Sequence, residues 1–138
     1  MKKMAWILTF ATVLTGTLFA QSIGNTRIVT QVPFEFVVGT HVMPAGQVVV
    51  QSATQDGGML VIRNSAAKRN MLSSTILDES KAPASGYALV FNRYGDQYFL
   101  SSIKLQDSNL VYRLQESKAE AELRAQASPT TLEVAAGH

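Results

Sequence analysis

Two apolar-aromatic runs, YALVFNRY at 87–94 and QYFLSSIKL at 97–105, meet across Gly95-Asp96. Aromatic and branched residues in such runs fit a pleated, half-buried surface. A glycine at the first central position of a two-residue loop meets the positive φ of a type II′ hairpin turn. A hairpin this tight fixes its own register: Tyr94 faces Gln97, Arg93 faces Tyr98, and Phe91 faces Leu100. Leu89, Phe91, Arg93, Tyr98, Leu100 and Ser102 then share one side, and Val90, Asn92, Tyr94, Phe99 and Ile103 the other. Both sides carry large apolar groups, so the hairpin is expected to be central and covered on both faces.

The chain before it reads as further short strands. Residues 32–38 (VPFEFVV) alternate, with Phe34, Phe36 and Val38 on one face, and Pro33 suits an edge or a strand entry. Pro44-Ala45-Gly46 punctuates the chain, and a β-branched run follows at 46–54. Asp56-Gly57 fits a two-residue type I′ turn into a returning strand at 59–63. A weaker strand at 71–77 leads into a linker at 78–86, and a short last strand is expected at 110–114 after the Asp107-Ser108-Asn109 turn.

The pattern switches at Glu116. ESKAEAELRAQA has no β-branched residue and is rich in helix formers. Glu120 and Arg124 make a favourable i,i+4 pair, and Pro129 stops the helix. Its apolar stripe is thin, Ala119, Leu123 and Ala127, so a surface helix at about 116–127 is expected. Residues 128–138 are expected to be a disordered tail. These spacings predict a mainly β fold, an antiparallel β-sandwich or small β-barrel of about six or seven strands with a C-terminal helix. Residues 21–127 form its single domain.

Met1-Lys2-Lys3, an uncharged stretch from Met4 to Phe19, and a small residue at Ala20 make the three-part pattern of a secretory signal peptide over 1–20. The stretch falls short of the roughly 20 apolar residues that span a bilayer. The expectation is a protein exported to the periplasm or beyond, with no membrane span in the mature chain. Without Lys2 and Lys3 the chain balances at ten basic and ten acidic residues. A neutral chain lacks the cationic footprint that nucleic-acid binding rests on. There is no cysteine, so a hydrophobic core must hold the domain without disulfides.

Three pieces carry a family resemblance: VPFEFVVGTHVMPAG at 32–46, RYGDQYFL at 93–100, and the Glu/Arg/Ala-rich helix near the C-terminus. With the export signal, the chain resembles a family of small exported proteins common in acidobacterial genomes. The resemblance implies compartment and size. It implies no activity and transfers no catalytic residue.

The chemistry-bearing residues are sparse. His41 has no second His or Cys at ligand spacing, and Asp78-Glu79 would point to opposite faces of an extended chain. Asp107 and Asn109 offer too few oxygens for a hard cation and fit a turn. The residues point to no catalytic group, metal ligand or cofactor. The best recognition candidate is the hairpin tip, Arg93, Tyr94, Asp96 and Tyr98, whose composition resembles interface hot spots. Arg93 over Tyr98 would also make a cross-strand cation–π pair. The expected function is a non-catalytic exported β-domain with a binding or structural role at the cell envelope, its partner an envelope or extracellular protein or glycan. The alternative is a small β-barrel holding an apolar ligand.

Overall fold

The structure is a computed structural model that describes residues 27–54 and 58–137. The export signal expected at 1–20 and the turn expected at Asp56-Gly57 lie outside the described residues, as does His138. The strands are β1 (Arg27–Val32), β2 (Phe36–Val38), β3 (His41–Met43), β4 (Gly46–Ser52), β5 (Met59–Asn64), β6 (Arg69–Glu79), β7 (Tyr87–Tyr94), β8 (Gln97–Lys104), β9 (Leu110–Leu114) and β10 (Thr130–Ala136), with one helix, α1 (Lys118–Gln126), between β9 and β10. The chain is mainly β, as its patterning requires. Among the described residues the sheet has ten strands rather than six or seven, and it is mixed rather than wholly antiparallel, because β2 runs parallel to β8 at Val37–Phe99.

The central hairpin forms in the register its turn dictates. Tyr94 pairs with Gln97, Arg93 with Tyr98, and Phe91 with Leu100. Gly95 has φ +62°, whereas Asp96 is not among the residues with positive φ, the arrangement of a type II′ turn. One detail departs from the simple alternation. Phe91 pairs with Leu100 but Val90 pairs with Ser102, so Ser101 is an extra residue in a β-bulge. Beyond it the faces exchange. Ile103 lies opposite Leu89 in the core, and Ser102 joins Val90 on the other side.

The pairings close on themselves. The path runs β1-β4-β5-β6-β9-β8, continues through β7 to β10, and returns to β1. The closing stitch is a pair of backbone bonds, Val29 N to Gly137 O at 2.8 Å and Gly137 N to Val29 O at 2.9 Å. Thr30 Oγ1 adds a bond to Ala135 O at 2.9 Å. On the far side β6 turns the corner. Its first half pairs with β5 and its second half with β9. The β2–β3 hairpin branches from this ring at β8, with Phe36 and Met43 turned into the core, and β3 ends the path.

The segment expected as a disordered tail is therefore a strand. Thr130–Ala136 pairs along the whole of β7 from Arg93 to Tyr87. Leu132, Val134 and Ala136 stand opposite Phe91, Leu89 and Tyr87, and Val134 and Ala136 pack on the core. The strand's own apolar content is small. Its order comes from completing the hydrogen bonds of β7, whose backbone groups would otherwise stand open at an edge. Two further boundaries move. The run expected at 32–38 is split after Val32, with Phe34 in the bend and Phe36 and Val38 buried in β2. The linker expected from 78 begins later, because Asp78 and Glu79 still pair with Val111 and Leu110.

One core fills the ring. Ile28, Phe36, Met43, Leu60, Ile62, Leu89, Phe91 and Ile103 are all fully buried. Burying each such side chain contributes about 1.5–3 kcal/mol, enough together to hold a domain without cross-links. Phe36 meets Phe91 edge to face at 5.2 Å. At one rim the buried Asn64 ties two loops together. Its Nδ2 donates to Pro44 O at 3.0 Å and its Oδ1 accepts from Ala67 N at 3.2 Å. Gly46, at φ +137°, passes so close that a Cβ there would sit 3.3 Å from Asn64 Nδ2. Among the described residues no helix is long and apolar enough to cross a membrane.

Candidate functional site

The tip of the β7–β8 hairpin stands at the end of an aromatic column. Arg93 and Tyr98 are cross-strand partners next to the turn, and the Arg93 guanidinium carbon lies 5.5 Å from the Tyr98 ring centre. Arg93 Nε also donates to Gly95 O at 2.7 Å, which straps the side chain across the turn. Tyr98 stacks nearly flat on Phe34, with centroids 3.9 Å apart and planes at 16°. Phe34 in turn meets Phe91 edge to face at 4.9 Å. The exposed Arg93 is thus connected to the core through Tyr98 and Phe34, and the tip is a rigid support.

Beside this column is a groove of about 260 Å³, made by the hairpin tip and the β2–β3 hairpin together. Phe36, Val37, Val42 and Tyr98 give it apolar walls, Gln97 a neutral polar edge, and Glu35 and Asp96 two exposed carboxylates. Among the described residues no cation lines it, and the groove is acidic at the edge and apolar within. Val42 is 49% exposed, unusually open for a valine in a strand. Glu35 is placed by the bend that follows Pro33, and Asp96 by the II′ turn. Sequence spacing pointed to Arg93, Asp96 and Tyr98. Glu35, Phe34 and Val42 come from sixty residues upstream (positions 34–42 against 93–98), a distance that no local pattern bridges.

Tyr94 does not belong to this site. Alternation sends it to the opposite face, where it is buried and meets Phe99 edge to face at 5.7 Å. Its hydroxyl donates to Glu120 Oε2 at 3.0 Å. Asn92 Nδ2 donates to the same oxygen at 2.9 Å and Arg124 Nη2 at 3.4 Å. Burial raises the Tyr94 phenol above its ordinary value; hydrogen bonding to Arg124 opposes the rise and the Glu120 carboxylate adds to it. Arg124 is raised as well, chiefly by its contact with Tyr94. It also pairs with Glu116 at 2.8 Å.

The helix therefore docks differently from its apolar stripe. Ala119 and Ala127 are exposed, Leu123 is half-buried, and the one buried residue of α1 is Glu120. Ser117 caps the helix, its hydroxyl accepting from Glu120 N at 3.1 Å. The Ser-x-x-Glu spacing at 117–120 is that of a capping box, in which the glutamate would turn back to the cap. Here it is directed to Tyr94 and Asn92 instead. That spacing was the available signal for both the helix start and the special position of Glu120.

The remaining polar candidates are accounted for singly. His41 is exposed, with Nδ1 3.3 Å from Thr40 Oγ1. Asp78 pairs with Arg113 across the β6–β9 ladder. Asp107 has φ +56° in its turn, and its N–H donates to Ala84 O at 3.0 Å. Among the described residues no three His, Cys, Asp or Glu side chains gather as a metal site. No protein-family model matches the chain, and neither a curated protein nor a solved structure is significantly similar to it.

Proposed function

We propose that this chain is a non-catalytic β-domain, exported by its first twenty residues, that recognises a protein partner at the cell envelope through the groove at the β7–β8 tip. The observation that carries the reading is the groove's composition on a rigid support. Glu35 and Asp96 flank walls formed by Phe36, Val37, Val42 and Tyr98. A lysine or arginine side chain matches such a site, its methylene stem against the apolar walls and its charge between the carboxylates. Tyr98 gives the groove an aromatic of the type that dominates binding energy in interfaces.

The domain is read as a small closed barrel with a filled interior. Support comes from the ring of pairings and from Ile28, Phe36, Leu60, Leu89 and Phe91 meeting inside it. Such packing speaks for a scaffold and against a barrel that carries an apolar ligand, which would need several hundred Å³ of interior space. The test is affinity capture from envelope extract with two baits, the wild type and the double variant Glu35→Lys, Asp96→Lys. Both substituted positions are exposed, so the variant is expected to fold. A protein held by the wild type and lost by the variant supports the reading. Identical capture by both baits contradicts it.

A further inference from the structure

A second pocket, of about 450 Å³, lies between α1 and the outer side of β6, β7, β8 and β9, away from the acidic groove. Its size is within the ordinary range of small-molecule sites, roughly 300–1,000 Å³. Glu120 reaches into it from the helix and is only 5% exposed. All three donors that hold this carboxylate, Tyr94, Asn92 and Arg124, bond to Oε2. Oε1 receives no hydrogen bond from the described residues. Every fully enclosed side-chain nitrogen or oxygen among them has a partner, so Oε1 is not sealed in and opens on the pocket. A carboxylate oxygen only accepts, and Oε1, open on the pocket and without a donor among the described residues, can take a ligand hydroxyl.

The rest of the lining specifies what kind of ligand. Glu116 and Glu120 are balanced by Arg113 and Arg124. Both arginines are already engaged, Arg113 with Asp78 and Arg124 with Glu116 and Glu120. An anion would meet two carboxylates and a cation two guanidinium groups, so the site favours neither. Ser101 and Gln115 line the pocket with no hydrogen-bond partner among the described residues, and they offer a hydroxyl and an amide that both donate and accept. Ser101 is the extra residue of the β8 bulge, and bulges recur where a side chain is re-aimed at a site. Ile76, 60% exposed, adds an apolar wall.

We propose that this pocket binds a neutral, hydroxyl-rich small molecule, a monosaccharide or a single sugar unit of a glycan, with Glu120 Oε1 accepting from a ring hydroxyl. Ser101 and Gln115 bond further hydroxyls, and the C–H face of the ring packs on Ile76. The site is independent of the partner groove, because it shares no residue with it.

The test is titration of the isotopically labelled mature chain with glucose, galactose, mannose and N-acetylglucosamine, each to its solubility limit, followed by amide chemical shifts. The expected result is saturable shifts with at least one of these sugars, confined to Asn92, Ser101, Gln115 and the start of α1. Ser101→Phe fills the pocket and should abolish them, while distant amides confirm its fold. Glu120→Gln keeps the shape, weakens the acceptor and should reduce affinity by roughly tenfold. Inorganic phosphate and spermidine serve as charged probes. The proposal is overturned if no sugar shifts these amides, if a charged probe shifts them more strongly, or if the shifts persist in Ser101→Phe.

Discussion

Tyr94 donates its hydroxyl to Glu120 Oε2 across 3.0 Å, joining the outer side of the β7–β8 hairpin to the first turn of α1. The pair is twenty-six residues apart and is the buried bond between helix and sheet. Tyr94→Phe removes the donor and leaves Asn92 and Arg124 on the carboxylate. A hydrogen bond to a charged group contributes about 1.5–3 kcal/mol, so a loss of about 2 kcal/mol is expected in urea unfolding. A variant as stable as the wild type would mean that the helix docks by other contacts.

The same phenol makes stability fall at high pH. Burial raises Tyr94 above its ordinary 10.0 in the folded protein, while the unfolded chain titrates near that ordinary value. Folded protein then holds the proton more tightly than unfolded protein. Its contribution is complete below pH 10 and is lost as pH rises through the higher folded value. The stability gap between wild type and Tyr94→Phe should therefore shrink above about pH 10. Unfolding measured at a series of pH values checks this, and a gap that stays constant or widens contradicts the buried environment.

Gly95 is a further point of local constraint. Its φ of +62° is one that a β-branched residue resists, although no atom lies within 4 Å of a Cβ built there. The cost of Gly95→Val is then backbone strain alone, about 1–3 kcal/mol, read as a lower urea midpoint with unchanged slope. Gly95→Asn, which tolerates positive φ, should lose much less. Equal losses in the two variants would point to a cause other than φ.

These positions also indicate what could be read from the sequence. The Gly95 turn and the pairing of Arg93 with Tyr98 follow from local rules, period two and turn chemistry, and the structure has both. The Ser101 bulge leaves no such mark. LSSIK contains no glycine, and the extra residue is fixed by which of Ser102 and Ile103 the core accepts. β10 was hidden for a related reason. Its Leu132 and Val134 are few, and only β7 across the ladder makes them a strand. Of the recognition candidates, Arg93, Asp96 and Tyr98 sit together because one turn carries them. Tyr94 is separated from them by alternation alone, which the sequence does show, and is buried by a helix that local patterning could not dock.

Arg93 and Tyr98 test that register energetically. With the guanidinium carbon 5.5 Å from the ring centre, the pair should couple. The double-mutant cycle of Arg93→Ala with Tyr98→Ala is expected to give about 0.5–1 kcal/mol. Tyr98→Ala alone should cost more than Arg93→Ala, since it also removes the stack on Phe34 at 3.9 Å. Zero coupling would reduce the column to aromatic packing.

Whether a partner occupies the groove between Glu35 and Asp96 is read by photo-crosslinking from that groove in living cells. A photoreactive side chain at Gln97, exposed and lining the groove, is compared with one at Glu122, exposed on α1. A discrete adduct is expected from Gln97 that disappears with Glu35→Lys and Asp96→Lys, and none of the same mass from Glu122. No adduct from Gln97, or one that forms equally from both positions and survives the charge reversals, would contradict occupancy of the groove by a partner.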